Sequence, residues 1–377
     1  MAGSQSVAIA GAGATAQGEL PGRSANAIAV EAIELALADA GLAKADVDGL
    51  VTCRNLQSRV GIDEQIGELL GISPRFGATL DYGTGNFSLH LATMAIRAGL
   101  AETIVLAYGT NQRSAKTDFG IAVGGGAEMA SVNGVVHVAG RAALAFRRHQ
   151  HQYGTTEEQL GWVSVAQREW AGMNPLAIFR KPLTIEDYLA SEPLVAPLRR
   201  ADLTMISDGG AALVVTTAER ARDLAKRPVH VAAMAQRTAF RADHDPESLN
   251  RPWLGELAKE LWSTSGYRPD DIGALYIQDA TSVWVLQMLE WYGFCPVGEG
   301  GRFLAEGRTR PGGSLPVNTN GGQLSEAYMW GWLHLVEAVR QLRGEAGERQ
   351  VPGLEVALDV SSHDFLKGAA SILTTRS

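Results

Sequence analysis

Two successive series of short apolar strands and helical stretches constrain the fold of this chain more than any other feature. In the first series, Val7 to Gly11 predicts a strand and Ala25 to Ala40 an amphipathic helix, with Ser24 as its N-cap and Gly41 as its stop. Phe87 to Ala98 predicts a helix that is apolar on most sides and therefore buried. Such alternation is typical of α/β proteins. The other strands predicted in this series are Gly49 to Thr52, Thr103 to Tyr108 and Gly209 to Thr216.

The second series repeats the first, which suggests an internal duplication. The boundary is expected near residue 225, giving halves 1–225 and 226–377. The stretch from about 111 to 200 interrupts the first half and is rich in His, Arg, Gln and Pro. Insertions of this length inside α/β units are usually lids or binding loops. The strands predicted in the second series are Val229 to Ala233, Ala274 to Ile277 and Glu355 to Val360, and the helices are Leu249 to Gly266, Ser282 to Tyr292 and Leu333 to Leu342.

Composition excludes several classes of protein. The net charge of −8 argues against a nucleic-acid partner, although local arginines can still hold phosphates of an acidic ligand. No apolar run approaches the ~20 residues that span a bilayer, and the N-terminus lacks the pattern of a signal peptide. Two cysteines, Cys53 and Cys295, provide neither a disulfide framework nor a zinc site by themselves. We therefore expect a cytoplasmic protein without a membrane or metal partner.

Motifs in both halves give the chain a family resemblance. The glycine pattern of Asn318-Thr319-Asn320-Gly321-Gly322, the segment from Ser207 to Ala212 and the two-half layout resemble the thiolase superfamily. Within it, the chain resembles the sterol-carrier-protein-x-type thiolases and the bacterial lipid-transfer-protein branch, and the resemblance covers nearly the whole chain. It implies two duplicated βαβαβαββ halves stacked as a five-layer αβαβα sandwich, with a loop-domain insertion in the first half. The stretches typical of that branch are Tyr108 to Ser114, Asn174-Pro175, Pro182 to Tyr188, Pro197 to Arg199 and Leu315 to Val351.

The residues that thiolases need for acyl transfer are missing. A thiolase uses a cysteine nucleophile before a buried helix, and the matching turn here begins with Tyr82. It also uses a histidine on a glycine-rich loop, where this chain has Tyr328. The second thiolase cysteine falls near Ser361, Ser362 and His363. Since a phenol with a pKa near ~10 is a poor acyl carrier, Claisen-type acyl transfer is disfavoured.

The surviving polar groups suit a different reaction on a CoA thioester. The branch includes aldolases that cleave side chains of steroid CoA thioesters, with tyrosines that move protons. One of these tyrosines matches Tyr328, and a second corresponds to Gln278, which is a departure from the pattern. Either Tyr82 or His363 takes over a proton, or the reaction differs. We expect retro-aldol cleavage of a bulky β-hydroxyacyl-CoA without a covalent intermediate.

The candidate site residues follow from this mapping, each beside a purely structural alternative. Tyr328 could simply pack under its loop, and Tyr82 could fill the space of a lost nucleophile. The arginines of the insertion could hold CoA phosphates or be solvated. The candidate catalytic residues are Tyr328, Tyr82, His363, Gln278 and Asp279; those for substrate binding are Asn320, Gly321, Gly322, Gly83, Thr84 and Ser362; the arginines are Arg113, Arg147, Arg148, Arg180 and Arg199.

Two other functions stay open, and the resemblance also implies partners. The chain could be a non-catalytic subunit of an acyl-CoA-processing complex, or an acyltransferase that uses a cysteine from elsewhere. CoA is expected as part of the substrate, with no covalently bound cofactor. The superfamily dimerises through the strand after the nucleophile helix, here Thr103 to Tyr108, an apolar run that would suit a buried edge. Members of the branch often pair with a small OB-fold zinc-ribbon protein, which would give a heterotetramer.

Overall fold

The structure is a computed structural model that describes residues 5–54, 61–81, 84–117, 135, 137–239, 249–363 and 367–376. The strands are β1 (Val7–Ala14), β2 (Gly49–Cys53), β3 (Phe76–Leu80), β4 (Thr103–Thr110), β5 (Pro193–Val195), β6 (Leu198–Arg199), β7 (Gly209–Thr217), β8 (Val229–Thr238), β9 (Ala274–Ile277), β10 (Val356–His363) and β11 (Lys367–Thr374). The helices are α1 (Ala25–Ala40), α2 (Ile62–Leu70), α3 (Gly85–Arg97), α4 (Val138–Tyr153), α5 (Glu157–Gly172), α6 (Ile185–Ala190), α7 (Ala218–Ala221), α8 (Trp253–Ser265), α9 (Ser282–Trp291), α10 (Gly300–Ala305), α11 (Gly322–Ser325) and α12 (Trp332–Arg343).

The strand order is the same in both halves. The first half has the order β3-β2-β4-β7-β1, and the second has β8-β11-β10-β9, with Val317 bridging Leu275 outside β9. The elements of the two halves correspond one to one when they are counted outward from the joint between the halves. The pairs are β8 with β1, β11 with β7, β10 with β4, β9 with β2, and the Val317 bridge with β3. The parallel and antiparallel pairings correspond as well. The two halves meet where β1 pairs with β8 at two residues.

Alternation of side chains along the strands builds five layers. One face of β1, β4 and β7 packs with helices α1 and α2 on the outside of the first half. The opposite face of these strands packs on α3 and α12, which also pack on β9, β10 and β11. The outer face of the second half packs on α8 and α9 and on the insertion helices α4 and α5. The buried helices α3 and α12 are therefore the central layer.

Local signals place several elements at their predicted positions. Helix α1 has the predicted bounds: Ser24 accepts the N–H of Ala27 at its start, and Gly41 ends it with φ 70°. Strand β9 also has the predicted bounds. The proposed boundary near residue 225 falls in the connection between α7, which ends at Ala221, and β8, which begins at Val229. The pattern gave no prediction of α2, β3 or β11.

The expected position of β4 at an edge is wrong. This strand pairs with β2 on one side and with β7 on the other, so it lies inside the sheet. Its eight residues are all buried because helices cover both faces and strands cover both sides. The open strand of the first half is β3, which pairs only with β2 within the described part of the chain.

No helix in the described ranges is long and apolar enough to cross a membrane.

Candidate active site

The loop from Asn318 to Gly331 joins strand and helix at the centre of the second half. Gly321 and Gly322 adopt left-handed φ values of 101° and 65°. A Cβ on Gly321 would lie 2.6 Å from the Cβ of Ala171 in α5, and one on Gly322 would meet the carboxylate of Asp279. These two glycines are therefore required both by their conformation and by the close approach of the insertion helix and the end of β9.

Asp279 fixes this loop to the end of strand β9. Its Oδ1 accepts the backbone N–H of Gln323 at 2.9 Å, and its Oδ2 accepts that of Leu324 at 3.1 Å. Oδ1 also accepts from Nε2 of His334 in α12 at 3.0 Å. The carboxylate is fully buried, and both its oxygens are used by these donors, so the structure favours an anchoring contribution for Asp279.

Asn320 determines which nitrogen of His334 holds a proton. Its Oδ1 accepts the N–H of Gly322 at 3.2 Å, so its amide nitrogen faces Glu326 Oε2 and His334 Nδ1. An amide nitrogen only donates, so Nδ1 accepts and Nε2 holds the proton shared with Asp279. Burial opposes a second proton on His334, but the hydrogen bond and charge of Asp279 outweigh it and raise the imidazole pKa. A proton on Nδ1 would nevertheless require the Asn320 amide to turn and lose its contact with Glu326.

Glu326 closes this buried network two residues before Tyr328. Its carboxylate accepts hydrogen bonds from the side-chain amides of Asn174, at 2.8 Å, and of Asn320. Burial raises the pKa of Glu326 to about 7, and the charge of Glu337 adds to this, whereas the two amides lower it. Since Asn174 lies in the insertion, Glu326 also connects the insertion to the loop.

Gln278 and Ser362 come together although they are 84 positions apart. The backbone N–H of Ser362, in β10, donates to Oε1 of Gln278 at 3.1 Å. A Cβ on Gly331 would lie 3.6 Å from Cβ and Cγ of Gln278, so the Tyr328 loop packs on this side chain. Arg251 donates to the Ser362 hydroxyl from a fully buried position.

The start of helix α3 meets the same end of β10. Thr84 precedes the helix, and its hydroxyl lies 2.9 Å from that of Ser361. Asn86, in the first turn, donates to the carboxyl group of Asp359. Burial raises the pKa of Asp359 to about 7, against the opposing effects of His334 and Asn86. A carboxyl group that gains or loses a proton near neutral pH thus lies directly beneath the candidate site.

Tyr328 is nearly buried on the loop between Glu326 and Gly331. Its ring centroid is 5.3 Å from that of Trp330, with the planes tilted by 46°. Its backbone N–H faces the Ser207 hydroxyl at 3.4 Å. The segment from Ser207 that indicated the family is therefore adjacent to the glycine-rich loop that also indicated it.

Three candidates cannot be placed. Tyr82 and Gly83 lie outside the described residues, and His363 ends β10 with its side chain outside the described part. The structure brings the remaining candidates together at the carboxyl ends of β9 and β10, beside the loop and the start of α3. Their roles stay predictions. The candidates so placed are Gln278, Asp279, Asn320, Gly321, Gly322, Thr84 and Ser362. Tyr328 lies on the loop itself.

Neither cysteine has the surroundings of a nucleophile. Burial raises the pKa of Cys295 to about 12, and the charges of Glu290 and Glu299 act in the same direction. Cys53 is buried with its sulfur 3.1 Å from the Ser88 hydroxyl. A reactive thiol needs the opposite shift of its pKa, so the surroundings of Cys295 do not support the acyltransferase alternative.

The insertion arginines differ in their surroundings. Arg199 is buried in an ion pair with Glu157 and stacks on Tyr188, with 5.0 Å from Cζ to the ring centre, which favours its packing alternative. Arg168 and Arg200 were not among the predicted phosphate ligands. They line a cleft of about 320 Å³ together with Leu324 of the loop.

Sequence reasoning missed the buried polar residues behind the site. These residues lie in or beside elements that look apolar or unremarkable in the sequence, and each has a partner that is distant along the chain. They are His334, Glu326, Asn86 and Asp359. Arg251 belongs to none of the motifs found in the sequence. The one sequence signal for this buried network is Asn174-Pro175, a stretch that is typical of the branch.

Comparisons with known proteins agree with this architecture. Residues 244–376 match the family model for a thiolase C-terminal domain-like region. The 17-hydroxy-3-oxo-4-pregnene-20-carboxyl-CoA lyase of Mycobacterium tuberculosis is 38% identical over 371 residues, covering 93% of this chain and 95% of that protein. The steroid side-chain-cleaving aldolase of Thermomonospora curvata is 39% identical over 358 residues, covering 89% and 90%. The solved Ltp2-ChsH2(DUF35) aldolase superposes with a TM-score of 0.90 and 36% identity, over 99% of both chains.

The layered fold and the site at the ends of β9 and β10 define a thiolase-fold protein. The chain belongs to the thiolase superfamily, in its sterol-carrier-protein-x-type and bacterial lipid-transfer-protein branch. The family and the fold class expected from the sequence are thereby confirmed.

Proposed function

We propose that this protein is a carbon–carbon lyase that cleaves a bulky, steroid-like β-hydroxyacyl-CoA by a retro-aldol reaction. The observation on which this rests is the contact of Gln278 with Ser362 and with Gly331, at the end of the loop that contains Tyr328. The family resemblance assigns oxyanion and acid–base groups to these positions. The similar proteins from Mycobacterium tuberculosis and Thermomonospora curvata are named as a CoA lyase and a side-chain-cleaving aldolase. Those names support the same reaction class here.

The reaction needs one base, one oxyanion site and one acid. A base removes the proton of the β-hydroxyl group, the Cα–Cβ bond breaks, and the β-carbon leaves as a ketone or aldehyde. The bond's electron pair forms the CoA-thioester enolate, whose oxygen the Gln278 amide is placed to stabilise. Protonation of the α-carbon then gives the shorter acyl-CoA. Tyr328 is our candidate for one of the two proton transfers.

The cleft beside the loop has surroundings that suit the CoA part of the substrate. Arg200 is exposed on its rim, and Arg168 is held by a 3.1 Å hydrogen bond from its Nε to the hydroxyl of Ser325 in α11. Two guanidinium groups next to apolar Phe179 and Leu203 suit a ligand with phosphates and an uncharged arm. We propose this cleft as the approach of the CoA chain, which would make CoA part of the substrate and require no bound cofactor.

The open edge of the first half supports a homodimer. Helix α2 packs beside β3 and exposes Leu69, which is 58% accessible. A strand that is open on one side, next to an exposed apolar residue, is suited to pairing with a second copy. We further propose a small OB-fold zinc-ribbon partner, giving a heterotetramer, because the similar solved aldolase is named as a two-protein assembly. A cytoplasmic location fits a CoA-thioester substrate.

Mass spectrometry of reaction products tests the proposed function. The protein, with and without a candidate OB-fold partner, is mixed with β-hydroxyacyl-CoA and β-ketoacyl-CoA thioesters. We expect a β-hydroxyacyl-CoA to yield a carbonyl compound and a shorter acyl-CoA. Binding without turnover across the panel would instead indicate a non-catalytic subunit, and CoA-dependent thiolysis would indicate acyl transfer.

The Tyr328→Phe variant tests the proposed acid–base residue. Loss of its hydroxyl should lower kcat by about 10²–10⁴-fold, as removal of a general acid or base does, with little change in unfolding temperature. Tyr292→Phe is the matched control, because the Tyr292 hydroxyl is also buried and makes no hydrogen bond within the described part of the chain. Equal effects of both variants on kcat would count against a role for Tyr328.

A further inference from the structure

Arg251 is a buried cation that no motif predicted. The residue has no solvent exposure and adopts a left-handed φ of 58°, which is uncommon for a non-glycine residue. Its guanidinium carbon lies 4.9 Å from the ring centre of Trp284 and 5.7 Å from that of Trp253. Two indole faces thus hold one planar cation in a single orientation, as cation–π contacts favour.

Two hydrogen bonds connect this cation to the candidate oxyanion site. Arg251 Nη2 donates to the Ser362 hydroxyl, and the Ser362 backbone N–H donates to Gln278 Oε1 at 3.1 Å. Because Oε1 accepts from β10, the amide nitrogen of Gln278 points to the opposite side. Within the described part of the chain, the one hydrogen bond of the Gln278 side chain is this contact at Oε1. The amide nitrogen is therefore placed to donate to a substrate atom.

The chemistry of enolate formation explains why a fixed cation belongs here. A donor that is already oriented stabilises developing negative charge without reorganising during the reaction. The guanidinium cannot lose its proton, unlike a lysine or histidine in the same place. In a site of low dielectric, a positive charge at the end of such a chain also polarises the hydrogen bonds that follow it.

We propose that Arg251 is a positioning residue that acts through Ser362 on Gln278, whose amide nitrogen donates to the thioester oxygen of the CoA enolate. This inference rests on the proposed lyase function and adds a residue to it. Arg251 does not touch the substrate in this arrangement. Its contribution is to hold the end of β10 and, with it, the rotamer of Gln278.

A double-mutant cycle in the full-length protein tests the inference. Arg251→Lys keeps the charge but loses the planar contacts, and Gln278→Met keeps the side-chain volume but loses the amide. We expect each variant to lower kcat by about 10²-fold and to leave KM within a factor of about three. If Arg251 acts through Gln278, the double variant should be no slower than Gln278→Met alone.

A second buried arginine provides the matched control. Arg349 is buried in an ion pair with Glu337, and the hydrogen bonds of its guanidinium in the described part of the chain go to Glu337. Arg349→Lys should lower the unfolding temperature, and any effect on kcat should multiply with that of Gln278→Met. Ser362→Ala is the companion variant if Arg251→Lys fails to fold, since it removes the acceptor and leaves Arg251 in place. It should show the same non-additivity with Gln278→Met.

The outcomes separate this inference from the proposed function. Wild-type protein that cleaves the substrate, combined with multiplicative effects of Arg251→Lys and Gln278→Met, would overturn the inference alone. So would an Arg251→Lys variant that unfolds at lower temperature but retains the wild-type kcat. Wild-type protein without any cleavage activity would overturn the proposed function, and the role of Arg251 with it.

Discussion

Asp359 shows how burial alters the chemistry of a single residue. It lies on the face of β10 that meets the central helices, where Asn86 donates to one of its oxygens. Its pKa of about 7 means that the folded protein binds this proton more tightly than the unfolded chain does. Its contribution to stability is therefore full at low pH and is lost as the pH rises from about 4 to above 7.

The Asp359→Asn variant should remove this pH dependence. At about pH 4 the loss has hardly begun, so the unfolding temperatures of the two proteins should be closest there. At pH 8 the variant should unfold at a higher temperature, because it avoids a buried charge that costs about 1.4 kcal/mol for each unit of pKa shift. Thermal unfolding of both proteins from about pH 4 to 8 measures this. The exposed Asp270→Asn variant is the control, and a pH-independent difference for Asp359→Asn would contradict the expectation.

Residues that follow a motif could be predicted, whereas their buried partners could not. Gln278 and Tyr328 follow from the resemblance to family motifs; Tyr328 lies on the glycine-rich loop, and Gln278 packs against Gly331 at the end of it. His334 and Arg251 were missed because their importance depends on contacts with Asp279 and Ser362, which are distant along the chain. A single sequence contains no record of such pairs.

At the scale of the element, the glycine-rich loop is the part of the site most sensitive to geometry. Gly322→Ala would place a methyl group against Asp279 and 2.6 Å from Oε1 of Gln167, at a φ of 65°. We expect a loss of several kcal/mol of stability, since both backbone strain and overpacking contribute. Cleavage activity should also fall, because the displaced loop contains Tyr328.

The Gly344→Ala variant separates the cost of backbone strain from the cost of steric contact with neighbouring atoms. Gly344 ends α12 with a φ of 78°, and a Cβ there would meet no atom within 4 Å. This variant should cost about 1 kcal/mol through backbone conformation alone and leave kcat unchanged. Denaturant unfolding and steady-state kinetics of the two variants measure both effects. Equal losses in both would mean that packing around Gly322 contributes nothing.

Elements with strong local signals were predicted more reliably than those that depend on neighbours. Helix α1 has an N-cap serine, an apolar stripe and a terminal glycine, so its bounds follow from its own residues. Strand β3 has the sequence FGATL, and its residues are only partly buried. Its strand conformation depends on pairing with β2, and its place at the edge depends on the whole sheet. The same dependence made the prediction of β4 as an edge strand wrong.

At the scale of the molecule, duplication explains where the site lies. The buried helices α3 and α12 lie between the two halves and pack on strands of both. The start of α3 from the first half therefore meets the ends of β9 and β10 from the second. The insertion adds Asn174 to the network around Glu326. The site is thus assembled from both halves and the insertion, and no half contains it alone.

The proposed homodimer gives a prediction for the whole molecule. Leu69→Lys places a charge on α2, which packs beside the open strand β3, and should weaken association, because a desolvated lysine without a partner opposes burial. Leu35→Lys is the matched control: Leu35 is 43% exposed on α1, in the outer layer. Sedimentation velocity over a range of concentrations should show a larger dissociation constant for Leu69→Lys and wild-type behaviour for Leu35→Lys. A wild-type protein that sediments as a monomer, or equal effects of both variants, would exclude β3 as the dimer contact.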